Sequence, residues 1–175
     1  MLIEPLPTIL DVRKAAVRGA TVTGTLKPRD LLRFLPLVED AESDIFVEMA
    51  FSQDEDNRYL VHLTIRADIV VLCQRCLESM PLHLSSACAL AIVWTEEEAA
   101  HLQRHLDPVI VRDTHCNLWQ IVEDELILSL PPYNYHEAAD CKLDTDDFSD
   151  ATPDQAFSED KPNPFNVLEQ LKSGK

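Results

Sequence analysis

The chain has 175 residues, enough for one domain or one domain with an appended tail, and its 46% hydrophobic content can fill a sizeable core. Fifteen Lys and Arg against thirty-one Asp and Glu leave a formal net charge of −16, which excludes a surface that grips nucleic acid everywhere by bulk attraction to phosphate. The longest apolar run, Ala87 to Trp94, falls far short of the ~20 residues of a membrane helix, and Met1 to Leu10 holds Glu4 and two prolines where a secretory signal has a basic start and an apolar centre, so a soluble, unexported protein without a membrane partner is expected.

Asp11 to Arg18 reads as a short helix stopped by Gly19, and Ala20 to Leu26, rich in Thr and Val, as a strand. Pro28 opens a helix that runs through Leu35. Ile45, Val47, Met49 and Phe51 then recur at every second position, as do Tyr59, Val61, Leu63, Ile65, Ala67, Ile69 and Val71, with His62, Thr64, Arg66 and Asp68 between them. Period two over such lengths means two strands with one buried face each, and the Asp54-Glu-Asp-Asn57 turn between them makes an antiparallel hairpin. A third strand, Leu82 to Trp94, sets Leu82, Leu84, Cys88, Leu90, Ile92 and Trp94 on one side. Glu96 to Arg104 reads as helix and Pro108 to Val111 as a short strand. The strongest helix is Leu118 to Leu130, capped by Asp113 or Thr114 and ended by Pro131-Pro132, with Trp119, Val122, Leu126 and Leu130 on one face. No internal repeat appears. The sum is an α+β domain over residues 1–136, a twisted antiparallel sheet or partial barrel with a few packed helices.

Charge is unevenly placed. Up to Pro36, Arg13, Lys14, Arg18, Lys27, Arg29 and Arg33 outnumber Glu4, Asp11 and Asp30, a local balance of +3 that leaves −19 to the rest. Glu137 to Asp160 holds nine acids against Lys142 alone, with too few large apolar groups to offset the entropy of ordering, and reads as a disordered acidic arm over residues 137–160. Residues 161–175 then offer a short helix in which Asn163 caps, Pro164 takes the first turn, and Phe165, Leu168 and Leu171 share a face. The arm is either a solvated tail or a contact for a basic partner, and the terminal helix can dock on its own domain or on that partner.

Five cysteines are an odd number, and Cys73 and Cys76 form a C-x-x-C pair, which in a reducing cytoplasm points to metal or dithiol chemistry rather than a disulfide framework. Two thiolates so spaced can chelate zinc, which wants four ligands in a tetrahedron. His136 and Cys141, in the loop after the Pro-Pro break, are the candidates for the other two. A tight turn with incidental thiols and a redox dithiol are the alternatives. Cys88 lies on an apolar strand face, ~20 Å from the turn at ~3.3 Å per residue, and reads as a small buried hydrophobe. Cys116 follows His115 at a helix start, but no base is in view to activate it. His62, His83, His101 and His105 read as surface residues, and Glu123-Asp124-Glu125 as a solvated helical face, since successive positions fan out by ~100°. With only three glycines the chain has no phosphate-binding loop, and it has neither a G-x-S-x-G nor an H-E-x-x-H motif, so neither an enzyme nor a small-molecule substrate is indicated.

Several separated stretches together resemble the bacterial YceD family, the large ribosomal RNA subunit accumulation proteins. They are Cys73-Gln-Arg-Cys76, Val122 to Pro131, His136 to Cys141 and Lys161-Pro-Asn-Pro-Phe165 with Leu168, Leu171 and Lys172, while Leu10-Asp-Val-Arg13 fits the family's start more loosely. The resemblance implies a non-enzymatic role in the synthesis, processing or stability of 23S ribosomal RNA. Some relatives carry extra cysteines after the Pro break, where this chain has His136 and Cys141. Contact with large-subunit precursors would then run directly through the six N-terminal cations, or indirectly through a basic ribosomal protein or assembly factor held by the acidic arm; the charge balance favours the second. A zinc- or thiol-dependent regulator and an acidic chaperone for basic proteins are the rival readings.

Overall fold

The computed structural model describes residues 4–142. Seven strands and three helices follow in the order β1 (Ile9–Asp11), α1 (Val12–Arg18), β2 (Thr21–Leu26), β3 (Ile45–Gln53), β4 (Tyr59–Leu72), β5 (Ser79–Val93), α2 (Glu96–Ala100), β6 (Asp107–Ile110), β7 (His115–Asn117) and α3 (Leu118–Ser129). The fold is α+β. Its main sheet is open, with strand order β2-β3-β4-β5-β6, and a small second sheet pairs β1 with β7. The acidic residues beyond Lys142 and the terminal segment with Phe165, Leu168 and Leu171 lie outside the described residues.

Period-two patterning decides the sheet. Ile45 faces Ala67 and Gln53 faces Tyr59 across the expected β3–β4 hairpin, whose turn is closed by Asp54 accepting from the Arg58 and Asp56 backbone N–H groups. β5 begins three residues earlier than the sequence pattern indicated, so that Leu72 pairs with Ser79 and the C-x-x-C sits in a tight turn. The sheet is mixed, not wholly antiparallel. β6 runs parallel to β5, with Leu90 opposite Asp107, because the chain crosses over through α2 before rejoining the edge.

Inward side chains of β3, β4 and β5 share one core with Val12, Ala15 and Ala16 of α1 and Leu118, Ile121, Val122 and Leu126 of α3. Outward positions such as Phe46, His62, Arg66 and Asp68 are exposed, so one face of the sheet meets solvent. The N-terminal segment lies along β2, with Leu6 N–H donating to Thr25 O at 3.0 Å and Thr25 N–H to Glu4 O at 3.1 Å. Gly24 makes that approach possible, since a Cβ there would sit 2.6 Å from the Leu6 backbone.

Four further expectations need correction. The helix expected from Pro28 to Leu35 is two single 3₁₀ turns, Pro28–Asp30 and Leu35–Leu37: extended Leu31, at φ −117° and ψ 97°, breaks the run between them, and both Leu31 and Phe34 turn into the core. Helix α2 stops at Ala100 rather than Arg104. The cap of α3 is Asn117, whose Oδ1 accepts from the Trp119 and Gln120 N–H groups, not Asp113 or Thr114. The Glu123-Asp-Glu125 triple is not a solvated face, for Glu123 is only 6% exposed.

Glu123 accepts from the Arg33 N–H at 2.6 Å, the Phe34 N–H at 3.2 Å and the Arg33 Nε at 2.9 Å. Arg33 also reaches Asp124 at 2.7 Å. Burial pushes the Glu123 carboxyl up, but those N–H donors and the guanidinium outweigh it and hold the group below its ordinary 4.5. The carboxylate thereby fastens the two 3₁₀ turns to α3. Glu123→Ala strands both backbone donors and should cost about 2–3 kcal/mol in chemical denaturation. Because the folded carboxyl titrates lower than the unfolded one, this contribution is complete above about pH 4.5 and fades as pH falls through the folded value, so wild type and variant should converge in acid.

Candidate metal centre

The long β4–β5 hairpin ends in the turn Cys73 to Glu78. Cys73 N–H donates to Glu78 O and Leu77 N–H to Cys73 O, each at 2.8 Å, and Leu77 closes the turn with a left-handed φ of 58°. After α3, Pro131-Pro132 releases the chain back toward this tip, where Gln74 N–H donates to Asn134 O at 2.8 Å. Arg75 lies over the Tyr135 ring at 5.3 Å, and Lys142 is paired with Glu78.

These contacts bring together Cys73, Cys76, His136 and Cys141, whose ligand atoms all lie within 4.8 Å of one another. His136 Nδ1 is 3.3 Å from Cys76 Sγ, and the His136 backbone N–H donates to Cys73 Sγ at 3.4 Å. Cys73 is fully buried. Burial alone would raise its thiol, yet the N–H groups of Cys76, His136 and Arg75 and the Cys76 side chain overcome that and bring it down to about 5. His136 is raised, first by its bond to Cys76 and then by Cys73. The donor set, three thiols and an imidazole, is one zinc favours, and a tetrahedron with Zn–S of ~2.3 Å needs ligand separations of ~3.7 Å, a contraction of about 1 Å from the widest pair here. Asn134 Oδ1, two residues before His136, is the one buried side-chain N or O atom without a hydrogen-bond partner among the described residues.

The other cysteines stay apart. Cys88 is pushed up to about 12 by burial and by Glu125, and Cys116 is raised by burial. Cys116 lines a cleft of about 780 Å³ between β6, β7 and α3 together with His115, but the only hydrogen bond of its thiol among the described residues runs to Asn117 O at 3.9 Å.

The N-terminal cations are mostly engaged. Lys14 pairs with Asp11, Lys27 and Arg29 share Glu42, and Arg33 is held by Glu123 and Asp124. Arg13 lies over the Trp94 ring at 4.3 Å, and Arg18 is in no ion pair among the described residues. The acids that neutralise this third, Glu42, Glu123 and Asp124, are distant in sequence, which is why a segmental charge count misses them.

The model of the YceD family, described as "Large ribosomal RNA subunit accumulation protein YceD", matches residues 61–172, well over half of the chain. The chain belongs to the YceD family. A large ribosomal RNA subunit accumulation protein YceD from Haemophilus influenzae is 28% identical over 168 residues, covering 95% of this chain and 96% of that protein. No solved structure matches. The four converging donors all fall inside the matched YceD span.

Leu77 is the residue that sequence reasoning missed, a 72% exposed leucine in a backbone conformation that suits glycine. Leu77→Gly should therefore stabilise the fold by about 1 kcal/mol in a denaturant titration, since it relieves left-handed strain and gives up little packing.

Proposed function

We propose that this chain is a non-enzymatic cytoplasmic factor in the accumulation of large-subunit ribosomal RNA, with a zinc ion held by Cys73, Cys76, His136 and Cys141 as a structural clasp. The observation that carries the role is the YceD match over residues 61–172. The clasp rests on the convergence of four donors from two separate segments, which a simple dithiol would not need. Zinc so ligated has no position left for substrate, in keeping with a structural ion. No helix among the described residues is long and apolar enough to cross a membrane.

The partner in this reading is a basic protein of the assembling large subunit rather than the RNA itself. Four of the six N-terminal cations are spent on acids of the same chain, and the net charge of −16 repels phosphate over any distance that salt leaves unscreened.

Two measurements test this. Purified from zinc-replete cells, the protein should carry one zinc per chain, and Cys73→Ser or Cys141→Ser should lose it. Removing metal from wild type should lower Tm by about 10 °C, the effect of a ligand near a thousandfold over its Kd on a chain of this size. Metal-free protein of unchanged Tm would refute the clasp. In a bacterium deprived of its own YceD relative, expression of this chain should restore the 23S ribosomal RNA level, and a level that stays at that of the empty vector would refute the role.

A further inference from the structure

We propose that the hairpin tip is a site of reversible oxidation by hydrogen peroxide: Cys76 is oxidised, Cys73 closes a disulfide with it, and the segment carrying His136 and Cys141 is let go. That the metal leaves in the same event rests on the zinc reading above. Three thiols stand in one cluster whose ligand atoms all lie within 4.8 Å of one another. An S–S bond of ~2.05 Å therefore asks for a closure of at most ~3 Å, within the range of side-chain rotation. Cys88 on β5 and Cys116 on β7 stand outside this cluster.

Burial orders the steps and position selects the pair. Cys73 is fully buried, whereas Cys76 and Cys141 are half-buried, so a small oxidant meets those two sulfurs first. Cys73 and Cys76 share one turn, closed by Cys73 N–H on Glu78 O and Leu77 N–H on Cys73 O, and their side chains hydrogen-bond to each other. Cys73 thus stays beside Cys76 as a resolving thiol whatever the second segment does. Cys141 arrives on a separate segment, and a disulfide first made to it passes by thiol exchange to the pair on the turn.

The chemistry balances without a further reactant. The Cys76 sulfur attacks one peroxide oxygen and the O–O bond breaks, leaving a sulfenic acid and a hydroxide that takes up a proton as water. The Cys73 sulfur then attacks the Cys76 sulfur; the S–S bond forms, the S–O bond breaks, and the departing hydroxide is protonated to a second water. Two thiolates, one peroxide and two protons give one disulfide and two waters, with two electrons passing from sulfur to oxygen. A dithiol reductant returns them. Only His136 and Cys141 then remain of the four donors, too few to keep a structural zinc. Their segment is otherwise tied to the turn by Gln74 N–H on Asn134 O, Arg75 over Tyr135 and Lys142 on Glu78, all outside the hydrophobic core. Opening is therefore local, and a disulfide across so short a loop restores little of the stability that the metal gave.

The test treats full-length, zinc-loaded protein with graded hydrogen peroxide. Released zinc is followed with a chromophoric chelator, and disulfides are mapped by mass spectrometry after alkylation of the remaining thiols. One ion should be freed for each Cys73–Cys76 disulfide, with Cys88, Cys116 and Cys141 left open to alkylation, and dithiothreitol with added zinc should reverse both changes. Cys141→Ser, treated metal-free, should still form the disulfide. The proposal is overturned if peroxide leaves Cys73 and Cys76 open to alkylation, if the final disulfide includes any other cysteine, or if Cys76 passes to a sulfinic acid that the dithiol does not reverse. Zinc content before oxidation scores the clasp separately, because the disulfide map reads the thiols whether or not metal is bound.

Discussion

Pairing of β4 with β5 runs unbroken from Tyr59 opposite Ile92 to Leu72 opposite Ser79, and the remaining structure hangs on that ladder. A one-residue slip would turn Val61, Leu63, Ile65, Ile69 and Val71 out of the core and His62, Arg66 and Asp68 into it, so the register is fixed by burial along its whole length. A rigid hairpin of this kind sets the position of its own tip. Cys73 and Cys76 are thus presented at a defined place, and the chain leaving α3 supplies His136 and Cys141 to meet them. The helices cover the inward face, while the turn beyond Leu72 has little apolar surface to bury; donor atoms converge where hydrophobic packing gives out.

Acidity serves the fold as well as the surface. Glu123 is the only buried charged residue among those described, and it does what no apolar side chain could, satisfying the N–H groups of Arg33 and Phe34 in a segment that extended Leu31 keeps from being one helix. Phe34 and Leu31 can then fill the core without a regular element to carry them. The cost of burying the carboxylate is met by three donors and by a guanidinium that remains half in water.

Whatever depends on near neighbours in sequence was legible. Strand periodicity gave β3, β4 and β5; Asp11 and Gly19 gave both ends of α1; and Pro131-Pro132 gave the end of α3. Spacing also singled out the four donors that the fold brings within 4.8 Å of one another, because C-x-x-C in a turn offers only two and the loop after the prolines could bring two more. What escaped notice depends on distant partners. Asn117 caps α3 because β7 ends there, not because its type outranks Asp113 or Thr114. Glu123 is inward because Arg33 and Phe34 arrive from ninety and eighty-nine positions away. The parallel edge at β6 follows from a crossover, which a four-residue strand pattern cannot announce.

Ribosomal RNA and a chain of net charge −16 are compatible only if attraction is local or delegated. Local attraction would need a cluster of free cations, whereas the fold brings Glu42, Glu123 and Asp124 onto Lys27, Arg29 and Arg33 and, of the six N-terminal cations, leaves Arg13 and Arg18 outside any ion pair among the described residues. Delegation needs an acidic field and apolar anchors close together, since a field alone speeds encounter without fixing register, and anchors alone are not selective.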